Sequence, residues 1–494
     1  MIRRSFTMIV CTTLLCAFLF AQVAAPPQTG QDVSMKGVVI KGKAPVSEEI
    51  LKVKLPRPRE ADLANGIHLM VLEDHRLPEV TAAIIIQGAG GYYEPAEFSG
   101  LAVFTAAMMS EGTTTRSARQ IAQEQETMAS SVGISSSMSG ESATLSINCL
   151  TENLDKTLNL AADVLMNPAF PEEELSRYKM RQRASALQIR SIPRFLAMER
   201  YAQVLYGNHP ASRIFPGVDS IDKATREAMI DFHRSHYVPD NAIVAVVGDI
   251  TFADAVKKFE GAFGEWKKAQ VTMPAVKDPA PLEKSGVYLV DRSNSVQTSL
   301  IIAAQAINFT DPDYDVLSLM NTVIGGGPTS RLFLNLREEK GWTYGAYSSL
   351  DAPRYRGAWL AQTEIRGDVT EAAVSEILSE IGRIRTEPVP DKEFMDKKRS
   401  LIASYALSLE TPRTILSNYI TSRLYGLPAD YWDRYPERIM AISKDQIQAA
   451  ARKYLDPSRF QIIAVADGKK LSDGLKKFGP METFDTEGKP KSLP

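Results

Sequence analysis

A stretch of this chain recurs further along it, and that recurrence constrains the fold more than any other feature. Leu205-Tyr206-Gly207 opens a segment that runs through a helical pattern to Tyr237-Val238-Pro239-Asp240, then into the strand-like IVAVVGD ending at Asp249. Leu424-Tyr425-Gly426 opens a second segment that runs through a helical pattern to Tyr454-Leu455-Asp456-Pro457, then into IIAVADG ending at Gly468. Upstream, the apolar VTAAIIIQG from Val80 has a counterpart in QTSLIIAAQ from Gln297. Length alone would suggest about three domains, but self-similarity of this kind marks two copies of one unit. The copies are expected at 59–270 and 286–475, joined by a Pro- and Lys-containing linker at 271–285. The flanking segments 26–58 and 476–494 are polar and are expected to be an extended N-terminal segment and a loosely ordered tail.

Each copy mixes strand and helix patterns. In the first, HLMVLE and VTAAIIIQG read as strands, and ISSSMSGESATLSINCL reads as a hairpin turning near Gly140. GLAVFTAAMMSEG, ENLDKTLNLAADVLMN and EEELSRYKMRQRASALQIR read as helices. SARQIAQEQETMASSVG is also predicted helical, with Ile121, Met128 and Val132 at helical intervals. The strict strand-helix-strand rhythm of a doubly wound sheet is missing, so the class is α+β.

The first residues have the order of a secretory leader: Arg3 and Arg4, the uncharged run Met8 to Ala21, then small residues at Ala21, Ala24 and Ala25. Residues 1–25 are therefore expected to be a signal peptide, and the chain to be exported, periplasmic or secreted. Of the three cysteines only Cys149 lies outside that leader, in an apolar strand-like stretch, so it reads as a core residue. The formal charge is −2, with no long Lys/Arg block, which argues against nucleic acid as a partner. No second apolar run reaches membrane-spanning length, so no membrane insertion is expected after leader removal.

Several blocks then agree in order with one family. NGIHLMVLEDHRLPEV, GAGGYYEPAEFSGLAVFTAAMMSEGT, NPAFPEEEL, HPASR and FHRSHYVPDNAIVAVVGDI resemble the N-terminal domain of the insulinase/pitrilysin zinc peptidases, the inverzincins. GGGPTSRLFLNLREEKGWTYGAYSS resembles the signature of that family's C-terminal half. The resemblance implies two homologous domains, each a mixed, mostly antiparallel sheet packed against helices, as in mitochondrial processing peptidase. It also implies a helix carrying H-x-x-E-H, in which two His bind zinc and the Glu acts as base on the metal-bound water. Here Gly100-Leu101-Ala102 leads and Met108 follows, but the three chemical positions hold Val103, Ala106 and Ala107. The third ligand, a Glu in the family, falls near Gln182, Arg183 or Ala184. None of these side chains is a carboxylate or imidazole, so no metal or cofactor is expected on this chain. His233 and His236, three apart on a helical stretch, are the nearest thing to a substitute pair, and they lack the H-x-x-E-H pattern.

The second copy keeps more. The R-E-x-x-G-x-x-Y phrase of the family's C-terminal half falls on Arg337 and Tyr344. The resemblance implies that this pair reaches toward substrate beside the zinc, where a guanidinium and a phenol can donate hydrogen bonds to a carbonyl oxygen or oxyanion. The glycines 325–327 and Pro328 suit a turn ahead of a helix TSRLFLNLREE, and lack the Lys and Ser/Thr of a phosphate loop. A two-copy chain with this phrase and no zinc helix resembles the non-catalytic subunit of two-subunit bacterial members, whose partner carries H-x-x-E-H and the zinc. The expected partners are that zinc-bearing subunit and a peptide substrate. The alternative is a catalytically dead homologue serving as scaffold or peptide-binding protein.

Overall fold

The computed structural model describes residues 49–269 and 273–492. The expected signal peptide 1–25, most of the extended segment 26–58 and the first residues of the linker lie outside them. Residues from Ile50 onward form one compact unit built on two six-stranded sheets. The first comprises β1 (Arg59–Asp62), β2 (His68–Glu73), β3 (Glu79–Gln87), β4 (Ser131–Ser136), β5 (Ser142–Leu150) and β6 (Ala242–Gly248), in the order β1-β2-β6-β3-β5-β4. The second comprises β7 (Gly286–Asp291), β8 (Gln297–Gln305), β9 (Thr343–Asp351), β10 (Ala358–Arg366), β11 (Gln461–Ala466) and β12 (Met481–Phe484), in the order β12-β7-β11-β8-β10-β9.

The repeat is now visible as topology. β2-β6-β3-β5-β4 superposes in order on β7-β11-β8-β10-β9, and in both the first pair is parallel and the rest antiparallel. The sixth strand breaks the symmetry. β1 precedes its sheet and pairs antiparallel with β2, whereas β12 follows its sheet and pairs parallel with β7. The segment expected as a loose tail beyond 475 is therefore partly an edge strand. Phe484 is buried, Arg200 stacks on its ring at 3.4 Å, and Arg200 Nη2 donates to the Gly488 carbonyl at 2.9 Å. The cation that packs on this aromatic lies far back in the chain, which local composition does not reveal.

Each sheet has one face on its own helices. Leu69, Val71, Ile84, Ile86, Val244 and Val246 pack with Phe104, Met108, Leu158 and Leu165 from α1 (Leu101–Met109) and α3 (Leu154–Met166), and α2 (Ala118–Thr127) and α4 (Glu172–Ile189) add Ile121, Leu175 and Ala186 to the same core. The other face is covered by a helix from the opposite copy. α5 (Pro193–Tyr206) lays Leu196, Ala197, Tyr201 and Leu205 on Ile301, Ala303, Leu360, Ile463 and Val465 of the second sheet. Reciprocally, the helix Pro412–Tyr425 lays Ile415, Leu416 and Tyr419 on Met70, Leu72, Ile85, Ile243, Ala245 and Val247 of the first. Both helices start with Pro at their first position, where its missing N–H costs nothing, and both end at the Tyr-Gly of the repeat. Gly426 takes the left-handed φ of 63° that closes the second.

Two local expectations need correction. α2 stops at Thr127, with Met128 as its cap, and Ala129 turns to φ 46°. Val132 therefore lies on β4, not on a helix face, because Ser130, Ser131 and Gly133 give the helix little to continue with. The helix after the glycine run begins at Arg331 with Ser330 as its cap, later than Pro328 and Thr329 would suggest. Ser330 N and Oγ both donate to the Gly327 carbonyl, so the turn holds the chain until that point.

Candidate functional site

The helix that should carry a zinc motif is α1, and its start is fixed by a glycine and a buried carboxylate. Gly100 sits at φ 101°, a conformation open to glycine, and a side chain there would meet Pro216. Glu94 supplies what a capping side chain at that position cannot. Its carboxylate accepts from Gly100 N at 2.7 Å and Ala102 N at 3.0 Å, with Arg213 Nη1 at 3.3 Å. These satisfy orphan donors of the first turn and place a negative group at the positive end of the helix. Burial pushes the Glu94 carboxyl upward, against the backbone bonds and Arg213, which pull it down.

α1 is a packing helix along its whole length. Ala106 is fully buried, and Val103 and Ala107 are half-buried one turn apart. On α4, Arg183 pairs with Asp222, and Gln182 and Ala184 offer no anionic oxygen. These residues do not fit a zinc ion. Among the described residues, no three His, Cys, Asp or Glu side chains converge as a ligand set. His233 and His236 diverge: His233 Nε2 bonds the Leu165 carbonyl at 2.8 Å, while the His236 ring lies 4.2 Å from that of Phe232. Both are pushed down from the ordinary imidazole range, chiefly by burial. His68 is held between Asp62 and Glu60, and His75 bonds Asp249 at 2.7 Å. His209 contacts the linker, bonding the Lys277 carbonyl at 2.9 Å. Cys149 is buried on β5.

Arg337 and Tyr344 sit at the free edge of the second sheet. Arg337 lies on a π-helical turn, Leu334–Glu339, with its guanidinium 5.0 Å from the Phe333 ring and its Nε 3.5 Å from Glu338. Gly341, at φ 64°, ends that turn and sends the chain into β9. Tyr344 is 90% exposed, and its side chain has no hydrogen-bond partner among the described residues. Its exposure has a cause in the ladder. Thr363 faces Ala346 and Ile365 faces Thr343, so Tyr344 and Gly345 together oppose the single residue Glu364. This bulge interrupts the pairing and aims the tyrosine away from the sheet. No contact joins Arg337 to Tyr344; what they share is the turn between helix and edge strand. The bulge and the π-turn were not read from the sequence, although a glycine inside a strand pattern, Gly345, is the usual trace of one.

The fold and the site first define a class: a two-copy α+β peptidase scaffold whose zinc helix carries no ligand. The particular family follows from comparison with known proteins. A model of the insulinase family (peptidase family M16) matches residues 69–214, and a model of the peptidase M16 inactive domain matches residues 223–401. The chain belongs to the insulinase, or M16, family. A solved peptidase M16 inactive domain from Pseudomonas fluorescens is 27% identical with a TM-score of 0.76, covering 83% of this chain and 98% of that one. A protease from Helicobacter pylori, 18% identical, shares the fold at a TM-score of 0.76 over 84% of this chain and all of its own (100%). An uncharacterized zinc protease of Rickettsia bellii is 25% identical over 413 residues, 81% of this chain and 96% of the relative.

Proposed function

We propose that this chain is the non-catalytic subunit of an exported zinc metallopeptidase complex, periplasmic or secreted. It forms half of a clam-shell chamber and supplies Arg337 and Tyr344 to bind the substrate peptide at the zinc site of an H-x-x-E-H partner. The observation that carries the reading is an asymmetry. The zinc helix has been filled in as core, at Val103, Ala106 and Ala107, while Tyr344 stands free on a bulged edge strand. A tyrosine this exposed, with no hydrogen-bond partner among the described residues, adds little to the stability of this chain, so its use lies in contact with something else. β9 has pairing groups open on one side, onto which an extended peptide can add as a further strand. From there the Tyr344 hydroxyl and the Arg337 guanidinium donate hydrogen bonds to a peptide carbonyl oxygen.

The test is co-expression with an exported, zinc-motif-bearing homologue, followed by peptidase assays of each chain alone and of the mixture. Only the mixture should cut. Tyr344→Phe or Arg337→Ala should lower its rate by about a hundredfold, the usual scale for one oxyanion donor, with the two chains still associated. A zinc chain fully active alone and never associated with this one would leave the scaffold or peptide-binding role as the better account.

A further inference from the structure

Beyond the end of α5, part of the inner face of the second sheet is left uncovered among the described residues. On β10 the residues Ala358, Leu360, Gln362 and Glu364 point to the α5 side, and on β8 so do Gln297, Ser299, Ile301 and Ala303, paired across the ladder. α5 covers the apolar end of this row. The polar end opens into a cavity of about 520 Å³, lined by Glu364, Ser299, Gln297, Gln362, Tyr347 and Tyr344, with Arg194 at its rim. Tyr344 stands opposite Glu364 across the bulge, so the cavity adjoins the residue to which substrate contact was assigned.

Glu364 is the acidic group of this cavity. Ser299 Oγ donates to one carboxylate oxygen, and no cation lies within ion-pair distance among the described residues. Arg194, from the first turn of α5, acts on it only at longer range. Burial is the largest influence on the Glu364 carboxyl and pushes it upward; the Ser299 bond and Arg194 do not offset it. The residue as a whole is exposed, so this only partly desolvated carboxylate, with one hydrogen-bond partner, is within reach of a ligand cation that would relieve it.

We propose that this cavity is a side-chain socket for a Lys or Arg of the bound peptide, with Glu364 as its specificity-determining residue. The proposal rests on the reading of β9 as the peptide-binding edge. Geometry favours a long side chain. Strands lie about 4.8 Å apart, so a peptide added beside β9 has its backbone two spacings from β10, roughly 9–10 Å from the strand that bears Glu364. Short polar side chains stop at Tyr347; the stems of Lys and Arg cross the gap, laying their methylenes along the Tyr347 ring and ending at the carboxylate. Arg194 at the rim rejects a second cation and leaves room for one.

The experiment uses the full chain and two fluorescein-labelled alanine-based peptides, identical except for a central Lys or Gln. Binding is measured on the chain alone, and cleavage on its mixture with the zinc-bearing subunit. The Lys peptide should bind about tenfold more tightly than the Gln peptide, the scale of one hydrogen bond to a charged group. Glu364→Gln should bring that ratio to about one, and Arg194→Glu should raise it. Arg194 is exposed, so the second variant tests the socket even if the first disturbs the sheet. An equal affinity for the two peptides, or a Lys preference that survives Glu364→Gln, overturns the socket. Glu364-dependent Lys binding without cleavage by the mixture keeps the socket and sinks the subunit reading. Cleavage of both peptides alike by the mixture does the reverse.

Discussion

Glu94 shows how a single residue can outlast the chemistry around it. Its side chain is fully buried and holds the first turn of α1 through two backbone bonds and Arg213. Glu94→Ala leaves two buried N–H groups without a partner and removes the carboxylate facing Arg213, and should cost about 2–4 kcal/mol, read as a shift of the urea midpoint at unchanged slope. Glu94→Gln, which keeps acceptors, should cost less. At this scale the sequence was legible where identity alone decides. The absence of zinc ligands at Val103, Ala106 and Ala107 needs no coordinates, because no conformation lets those side chains bind a metal. The exposure of Tyr344 was not legible, because it depends on a register shift between two strands. Glu364 was missed for the same reason: it is one of 59 acidic residues until β8, β9 and β10 are placed side by side.

At the scale of elements, the exchanged helices carry the most weight. Ile415 and Leu416 are buried against β2, β3 and β6, strands that come much earlier in the chain. Leu416→Ala should cost about 2–5 kcal/mol. Amide exchange should quicken in β6, on the far side of the molecule's sequence, as well as in the helix itself. An effect confined to the helix would mean that it rides on the sheet without supporting it. Removing residues 481–492 should also destabilise, since it strips β7 of its edge partner and leaves Arg200 without Phe484 and the Gly488 carbonyl. Strand periodicity announced β3, β6, β8 and β11 in advance, and the repeat paired them correctly. What periodicity could not announce was which copy each covering helix serves, since an amphipathic or apolar helix looks the same whichever sheet lies beneath it. The break after α2 was hidden for a related reason. Ile121, Met128 and Val132 all turn inward, two from the helix and its cap and one from the strand that follows.

For the whole molecule, the histidines set an acid limit. His209, His233 and His236 are each pushed below the ordinary value of 6.5, chiefly by burial. Between their lowered values and 6.5 the unfolded chain binds more protons than the folded one, so stability is fully present above 6.5 and falls as the pH drops below it. His75 is raised by Asp249 and works in the opposite sense, but it is freely exposed and adds little. Chemical denaturation across this range should show the midpoint declining on the acid side. His233→Gln or His236→Gln should flatten the decline while shifting the whole curve; a curve unchanged in slope would remove the imidazoles as its cause.

A ribosome releases the first sheet long before it releases the helix that covers it. When β6 is complete at Gly248, the face bearing Met70, Ile85 and Val247 stays bare until residues 412–425 have been made. The second sheet in turn waits for β11, past residue 460, before α5 has a full surface to settle on. Synthesis order thus keeps an apolar face of each copy bare until the other copy has been made, so neither half can finish folding before its partner exists.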